Sequence, residues 1–342
     1  MFRPGKTLTA VGAVALTLVS AAPALAQDRP GEGVTITMAQ PTWDTGWFQT
    51  AIYSQMLREL GYDVSQPMTL ENAAFFQAVA LGDVTMWIDG WFPQHNVFRD
   101  TFEDGAEIVG AVARGGALQG YMVSKAAADE FDIKTLEDFK RPEVRAAFDR
   151  DGDGKADLVS CPVGWACEEI ITHHLEAYGL VDHVNKTTAN YAAAMADAVA
   201  AHENGEPILY YAWTPNWTAD ELKPGVDAVW IEVPFISLVG SDEGLEDSAT
   251  WAGVEGCVSD PCRLGYVAND IVPVVNSEFL SENPAVRALF EAASVPLPDV
   301  FAQNARMKNG DADIAGHAAQ WIADNRQQVD GWLGAAREAA GN

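Results

Sequence analysis

Strand-like and helix-like segments alternate along this chain, and the alternation begins twice. Val34, Ile36 and Met38 alternate with other residues in the pattern of a strand, and an amphipathic stretch from about 46 to 60 follows. The alternation continues to a strand over 84–88 and resumes with a strand near 118–123. Such a pattern predicts an α/β protein with two lobes, each a mostly parallel sheet flanked by helices.

The chain is expected to cross between the lobes near residues 116–119 and 230–236. Lobe I then comprises residues 27–117 and 234–342, and lobe II comprises residues 118–233. In such folds a ligand binds beyond the carboxyl ends of the strands, which here means the cleft between the lobes.

Residues 1–26 have the pattern of a secretory signal peptide. Arg3 and Lys6 precede an apolar stretch, and Ala24-Leu25-Ala26 matches a cleavage site. The mature chain is therefore expected to begin near Gln27 and to work in the periplasm.

The formal net charge of the whole chain is −28. Acidity of this size argues against nucleic acid and anionic membrane surfaces as partners. No transmembrane span is expected after the signal peptide.

The four cysteines form two close pairs, Cys161/Cys167 and Cys257/Cys262. Three connectivities exist for four cysteines. The short spacings and the exported context favour two local disulfides. A zinc site is the alternative, but the spacings typical of zinc ligands are absent.

Three tryptophans lie at the ends of strand-like runs, in segments that contain Gly or Pro. The segments are Asp89-Gly90-Trp91-Phe92-Pro93, Val163-Gly164-Trp165-Ala166-Cys167 and Tyr211-Ala212-Trp213-Thr214-Pro215. Indole faces attract cations without carrying a formal charge, so several indoles around one point predict a site for a methylated ammonium ion. Trp43, after the first strand, is a candidate fourth wall, whereas Trp47 is expected to pack in the core.

Trp165 directly precedes a predicted helix that starts at Ala166. Free N–H groups at a helix start bind anionic oxygens. An indole face beside such donors suits a zwitterion with a cationic and an anionic end. The alternative is a core tryptophan beside a structural disulfide.

Several segments resemble the periplasmic glycine betaine binding proteins of osmoprotectant ABC importers (the ProX type). They are residues 149–169 (DRDGDGKADLVSCPVGWACEE), 210–217 (YYAWTPNW), 221–225 (ELKPG) and 233–235 (VPF). The resemblance implies a type II-like periplasmic binding protein fold and delivery of a trimethylated ammonium ligand to a permease and its ATPase. By the same resemblance, Trp91, Trp165 and Trp213 form the cage, and the N–H groups of Ala166 and Cys167 bind the carboxylate.

A fourth indole at Trp43 is a departure from the glycine betaine pattern. It resembles the trimethylamine N-oxide binding proteins, in which a carboxyl group meets the ligand oxygen, and it favours the N-oxide slightly over glycine betaine. Glu168, Glu169 and Asp44 are the candidates for that carboxyl group. Choline and proline betaine are alternative ligands.

Residues 149–160 match most of a calcium-binding loop. Asp149, Asp151, Asp153 and Asp157 stand at ligand positions, Gly154 at the turn, and Lys155 where a backbone carbonyl serves as ligand. Ser160 replaces the usual final Glu. The pattern predicts a structural Ca²⁺ site; the alternative is a solvated turn.

Enzyme motifs are not evident: the chain has no G-x-S-x-G, H-E-x-x-H or P-loop. Two other functions remain open beside transport. One is a solute-sensing partner of a membrane receptor, and the other is a secreted hydrolase.

Overall fold

The computed structural model of the protein describes Met1 and residues 29–341. Apart from Met1, the predicted signal peptide lies outside these described residues. Within the described part, none of the helices combines the length and the apolar character needed to cross a membrane.

Strands and helices follow one another in three stretches of the chain. The first contains β1 (Thr35–Ile36), β2 (Met38–Pro41), α1 (Trp47–Glu59), β3 (Asp63–Val64), β4 (Met68–Leu70), α2 (Asn72–Leu81), β5 (Met86–Phe92), α3 (Arg99–Phe102), β6 (Ala106–Ile108) and β7 (Ala113–Ala117). The second contains β8 (Gln119–Ser124), α4 (Lys125–Phe131), α5 (Pro142–Phe148), β9 (Ala156–Val159), α6 (Ala166–Ala177), β10 (Val184–Thr187), α7 (Tyr191–Glu203), β11 (Leu209–Trp213), α8 (Thr218–Glu221) and β12 (Ala228–Ile231). The third contains β13 (Thr250–Trp251), β14 (Cys262–Arg263), β15 (Asn269–Asn276), α9 (Ser277–Glu282), α10 (Pro284–Ala292), α11 (Leu297–Lys308), α12 (Ile314–Asp324) and α13 (Arg326–Ala340).

Two larger sheets form the cores of two lobes. One has the strand order β4-β2-β5-β15-β6, with β7 also paired to β15. The other has the order β10-β9-β11-β8-β12. Short 3₁₀ helices, among them Asp44–Gly46 and Gln94–Phe98, lie between the main elements.

Each sheet combines parallel pairings with antiparallel ones. β2 is parallel to β4 and β5, and β9 is parallel to β10 and β11. β15 runs antiparallel to β5, β6 and β7, and β8 runs antiparallel to β11 and β12. β8 and β15 are the strands that follow a passage from the other lobe. Each of these two strands runs antiparallel to its neighbours in the sheet that it joins. The alternation of strands and helices in the sequence does not reveal the direction of a strand, so it could not predict these antiparallel pairings.

Residues 250–263 pack on the second sheet, although the prediction assigned them to lobe I. The N–H of Trp230 in β12 donates to the carbonyl of Gly256 at 3.0 Å. The Arg263 Nε lies 3.1 Å from Oε1 of Glu232. Packing against the second lobe therefore continues beyond residue 234.

Both predicted disulfides are present. Cys161 is bonded to Cys167 and Cys257 to Cys262, with Cα atoms 6.0 and 6.2 Å apart. These bonds exclude the zinc alternative, because no thiolate of these cysteines remains to bind a metal.

Candidate ligand-binding site

A cavity lies between the two lobes, at the strand ends. Its empty volume, counted to the cleft opening and including solvent there, is about 330 Å³. Trp91 lies near the end of β5, Trp213 ends β11, Trp43 follows β2 and Trp165 precedes α6. The lining residues are Trp43, Asn72, Trp91, Gln94, His95, Gln119, Trp165, Ala166, Cys167, Tyr211 and Trp213. All of the predicted ligand-binding residues except Glu168 are among them.

Four indoles form the aromatic wall of this cavity. The ring centroid of Trp165 lies 5.2 Å from that of Trp43 and 5.7 Å from that of Trp213, and both pairs are inclined by 75°. The rings are therefore not stacked face to face, and their faces stay available to a ligand. Trp43 and Trp91 come from the first lobe and the other two from the second, so the wall is complete only when the lobes meet.

Ala166 and Cys167 form the polar side of the cavity. They are the first two residues of α6, so their N–H groups have no carbonyl partner within the helix. Trp165, at the N-cap position, makes no side-chain hydrogen bond to the helix start. The Cys161–Cys167 disulfide ties this turn to the end of β9. The helix start is thus fixed and can donate to an anionic oxygen.

His95 and Asn72 also line the cavity, and sequence reasoning did not identify them. Burial lowers the pKa of His95 to about 3, so the imidazole is neutral at physiological pH. Its Nδ1 accepts the N–H of Trp91 at 3.1 Å, which places the ring proton on Nε2. Nε2 lies 3.2 Å from the side-chain amide of Asn72. The Asn72 atom at this distance is Nδ2, itself a donor, so the Nε2–H of His95 can donate to a ligand, or to Oδ1 of Asn72 when that amide is turned by 180°.

The three proposed ligand carboxyl groups do not line the cavity. Glu168 accepts hydrogen bonds from Lys186 and Thr172 on the flank of α6. Glu169 is exposed. Burial raises the pKa of Asp44, and the Trp217 indole and Lys308 oppose that change. This geometry gives no support to the prediction that Glu168 binds the ligand, since Glu168 is absent from the cavity lining and its carboxylate accepts from Lys186 and Thr172.

Asp89 lies behind the aromatic wall and is fully buried. Its Oδ2 accepts the indole N–H of Trp43 and, at 3.4 Å, that of Trp91. Its Oδ1 accepts from Nε2 of Gln49 at 3.1 Å. Burial raises the pKa of Asp89 to about 6, and these three donors oppose that rise.

Several contacts cross the cleft and hold the lobes together. The amide of Gln119 in β8 donates to Oε1 of Gln94. The Lys308 ammonium lies 4.5 Å from the ring centroid of Trp217. The cleft is therefore closed around the cavity.

The predicted calcium loop forms a cluster of carboxylates outside the cleft. Oxygens of Asp149, Asp151 and Asp153 lie within 4.8 Å of one another. Asp157 instead accepts the N–H of Arg150 at 2.8 Å. Burial raises the pKa of Asp157, and the negative charges of Asp151 and Asp153 raise it as well. The Lys155 ammonium donates to the Val181 carbonyl at 3.0 Å, away from the cluster.

A cavity between two lobes, closed by contacts across the cleft and lined by indoles on one side and free N–H groups on the other, suits capture of a small solute. The fold and site together define a two-lobed substrate-binding protein. Residues 34–324 match the substrate-binding domain of ABC-type glycine betaine transport systems, and the chain belongs to this family. It is a binding protein and not an enzyme.

Known relatives agree with this assignment. The chain is 38% identical over 321 residues to the glycine betaine/proline betaine-binding periplasmic protein of Escherichia coli, covering 92% of this chain and 93% of the relative. It is 23% identical over 317 residues to the trimethylamine N-oxide-binding protein of Pelagibacter ubique, covering 85% and 88%. A crystal structure of lactococcal OpuAC in its closed conformation with glycine betaine shares the fold, with a TM-score of 0.65, 18% identity, and coverage of 88% of this chain and 99% of that one.

Proposed function

We propose that the protein captures a trimethylammonium solute in the periplasm, with glycine betaine as the first candidate, and delivers it to the permease and ATPase subunits of an importer. The observation that carries this proposal is one cavity with two complementary sides. Indole faces from both lobes suit the trimethylammonium group. The N–H groups of Ala166 and Cys167 suit a carboxylate.

The polar side of the cavity favours glycine betaine over trimethylamine N-oxide. Glycine betaine carries its carboxylate one methylene away from the ammonium nitrogen, and a carboxylate can accept from two N–H groups. The N-oxide hypothesis called for a carboxyl group at the ligand oxygen, but Asp44, Glu168 and Glu169 are absent from the cavity lining. We therefore place glycine betaine first, which reverses the preference drawn from the sequence.

Trimethylamine N-oxide is the second candidate because Trp43 does line the cavity. A fourth indole encloses a compact trimethylated group more completely than three do. Choline lacks the carboxylate and would leave N–H donors of the helix start unpaired, so we expect it to bind more weakly than glycine betaine.

Isothermal titration of the mature protein with glycine betaine, trimethylamine N-oxide, choline and proline betaine tests the proposal. We expect the tightest binding for glycine betaine. Tighter binding of the N-oxide would make it the ligand instead, and binding of none of the four would overturn the proposal. A pull-down of the importer's permease would separate a transport role from that of a sensory partner.

We also propose that the loop at 149–157 binds Ca²⁺ in a structural role. Three converging carboxylates, held by N–H donors of their own loop, support it: Asp149 accepts from Gly152 at 2.7 Å and from Gly154 at 2.9 Å. Carboxylate oxygens are the ligands Ca²⁺ prefers. Lys155 would contribute its backbone carbonyl, since its side chain points elsewhere.

A further inference from the structure

We infer that Asp89 is a positioning residue for cation recognition, fixing two cage indoles and supplying the negative charge behind them. This inference rests on the proposed function and adds to it a source of selectivity for positively charged ligands. Asp89 is outside the cavity lining, so its effect reaches the ligand through Trp43 and Trp91.

The first argument is geometric. Oδ2 of Asp89 accepts N–H groups from Trp43, which follows β2, and from Trp91, which lies on β5. Two indoles that donate to one oxygen cannot rotate independently, so a single acceptor sets the angle between two walls of the cage. Trp43 and Trp91 are only 7% exposed each, which leaves them little other freedom.

The surrounding backbone leaves just enough room for this carboxylate. Gly46 approaches it so closely that a Cβ at this position would lie 2.3 Å from Oδ2 of Asp89. Its φ of −90° is ordinary for any residue, so the close approach, not the backbone conformation, calls for glycine here. Gln49, three residues later in α1, donates to the other oxygen at 3.1 Å.

The second argument is electrostatic. A hydrogen bond to an anionic acceptor polarises the donor, which makes the face of each indole more attractive to a cation. The carboxylate charge itself also attracts an ammonium group across a medium of low dielectric constant. Both effects need the ionised form, and both disappear when Asp89 is protonated.

Among Asp89 and the side chains that contact it, Asp89 is the group whose pKa lies near neutral pH. Trp43, Gln49 and Trp91 are uncharged donors, and His95, on the neighbouring 3₁₀ helix, is neutral because burial lowers its pKa to about 3. Burial raises the pKa of Asp89 to about 6. A bound cation favours the carboxylate, so binding lowers that pKa, and affinity rises as the pH increases through about 6.

The variant Asp89→Asn separates charge from shape. An Asn oxygen at the place of Oδ2 still accepts from both indoles, and its NH₂ group faces Gln49. The Gln49 amide can turn so that its Oε1, which has no hydrogen-bond partner among the described residues, accepts from it. Asp83→Asn, on an exposed carboxylate of the same lobe, is the matched control.

The experiment is titration calorimetry with glycine betaine at pH 5 and pH 7.5. We expect wild type and Asp83→Asn to bind roughly fivefold more tightly at pH 7.5 than at pH 5, the ratio that follows at these two pH values when a pKa of about 6 is lowered by about one on binding. Asp89→Asn is expected to bind equally at both pH values, near the weaker level.

A second measurement needs no variant. In wild type at pH 6, titrations in two buffers of different ionisation enthalpy should show release of about half a proton per glycine betaine bound. Absence of proton release, or an Asp89→Asn variant that keeps the wild-type pH dependence, would overturn the inference while leaving the proposed function intact. If wild type binds no glycine betaine at pH 7.5, the proposed function fails and the inference with it.

Discussion

The indole N–H of Trp165 donates to the hydroxyl of Thr42 at 2.9 Å, and this bond joins the two lobes. Trp165 lies at the start of α6 in the second lobe, and Thr42 follows β2 in the first. The same hydroxyl lies 3.3 Å from Oε2 of Glu71, to which it can donate. A cage residue is therefore also a closure contact, and the orientation of its ring depends on the position of the opposite lobe.

Thr42→Val should weaken ligand binding by favouring the open state. The variant keeps the shape of the side chain but leaves the Trp165 N–H without its acceptor in the closed form. A lost hydrogen bond of this kind costs about 1 kcal/mol, or roughly fivefold in affinity. Calorimetry with glycine betaine measures the affinity, and small-angle scattering measures the radius of gyration with and without ligand. Thr42→Ser retains the hydroxyl and should resemble wild type; equal affinities for Val and Ser would show that the bond does not contribute to closure.

Trp91→Ala and Trp213→Ala should each remove one face of the cage. A desolvated cation–π contact contributes on the order of 2 kcal/mol, so each variant is expected to bind glycine betaine at least about 30-fold more weakly. The far-ultraviolet circular dichroism should be unchanged. Trp332→Phe, in α13 and outside the cavity lining, is the control. Wild-type affinity in both alanine variants would contradict the cage.

Asp89→Asn should make the ligand-free protein more stable at neutral pH while weakening binding. The pKa of Asp89 is raised from 3.8 to about 6 in the folded state, so the folded protein holds this proton more tightly than the unfolded chain does. Stability from this group is therefore present at low pH and is lost as the pH rises from about 4 to about 6. The difference between the two pKa values corresponds to at most about 3 kcal/mol. The melting temperatures of wild type and Asp89→Asn should be similar at pH 4, and the variant should melt at the higher temperature at pH 7.5. If the variant instead melts at the lower temperature at pH 7.5, the ionised carboxylate does not destabilise the fold.

Local signals in the sequence predicted the tryptophans that line the cavity but not the residues that hold these tryptophans in place. Trp91 and Trp213 lie at the ends of β5 and β11, and Trp165 directly precedes α6, and each stands in a segment that contains Gly or Pro. Asp89 could have been found, since residues i and i+2 of a strand share a face and Asp89 therefore points the same way as Trp91.

Other features of the site depend on tertiary contacts that no sequence pattern encodes. Gln49 and Trp43 reach Asp89 only because β2 and β5 are neighbours in the sheet. His95 was missed because its role follows from the Trp91 N–H and from Asn72, which precedes it by 23 residues. The position of Glu168 beside the helix start predicts contact with the ligand, but in the structure its carboxylate accepts a hydrogen bond from the Lys186 ammonium.

The last prediction concerns the loop at 149–157. Carboxylates of Asp149, Asp151 and Asp153 within 4.8 Å of one another repel unless a cation lies among them. A ligand that binds only the folded state stabilises it by mass action, by about 2.7 kcal/mol when its free concentration is 100 times Kd. Addition of a calcium chelator to the protein should therefore lower the melting temperature by several degrees, and excess Ca²⁺ should restore it.

The loop variant and its control decide whether this response comes from the cluster. The double variant Asp151→Ala, Asp153→Ala should not respond to chelator or to Ca²⁺. Asp182→Ala removes an exposed carboxylate next to Val181, whose carbonyl contacts Lys155, and should respond as wild type does. Because the loop precedes Cys161 and hence the segment that carries Trp165, loss of Ca²⁺ is also expected to weaken glycine betaine binding indirectly. A melting temperature of the wild type that is the same in chelator and in Ca²⁺ would show that the three aspartates form a hydrated turn stabilised by their own backbone N–H groups.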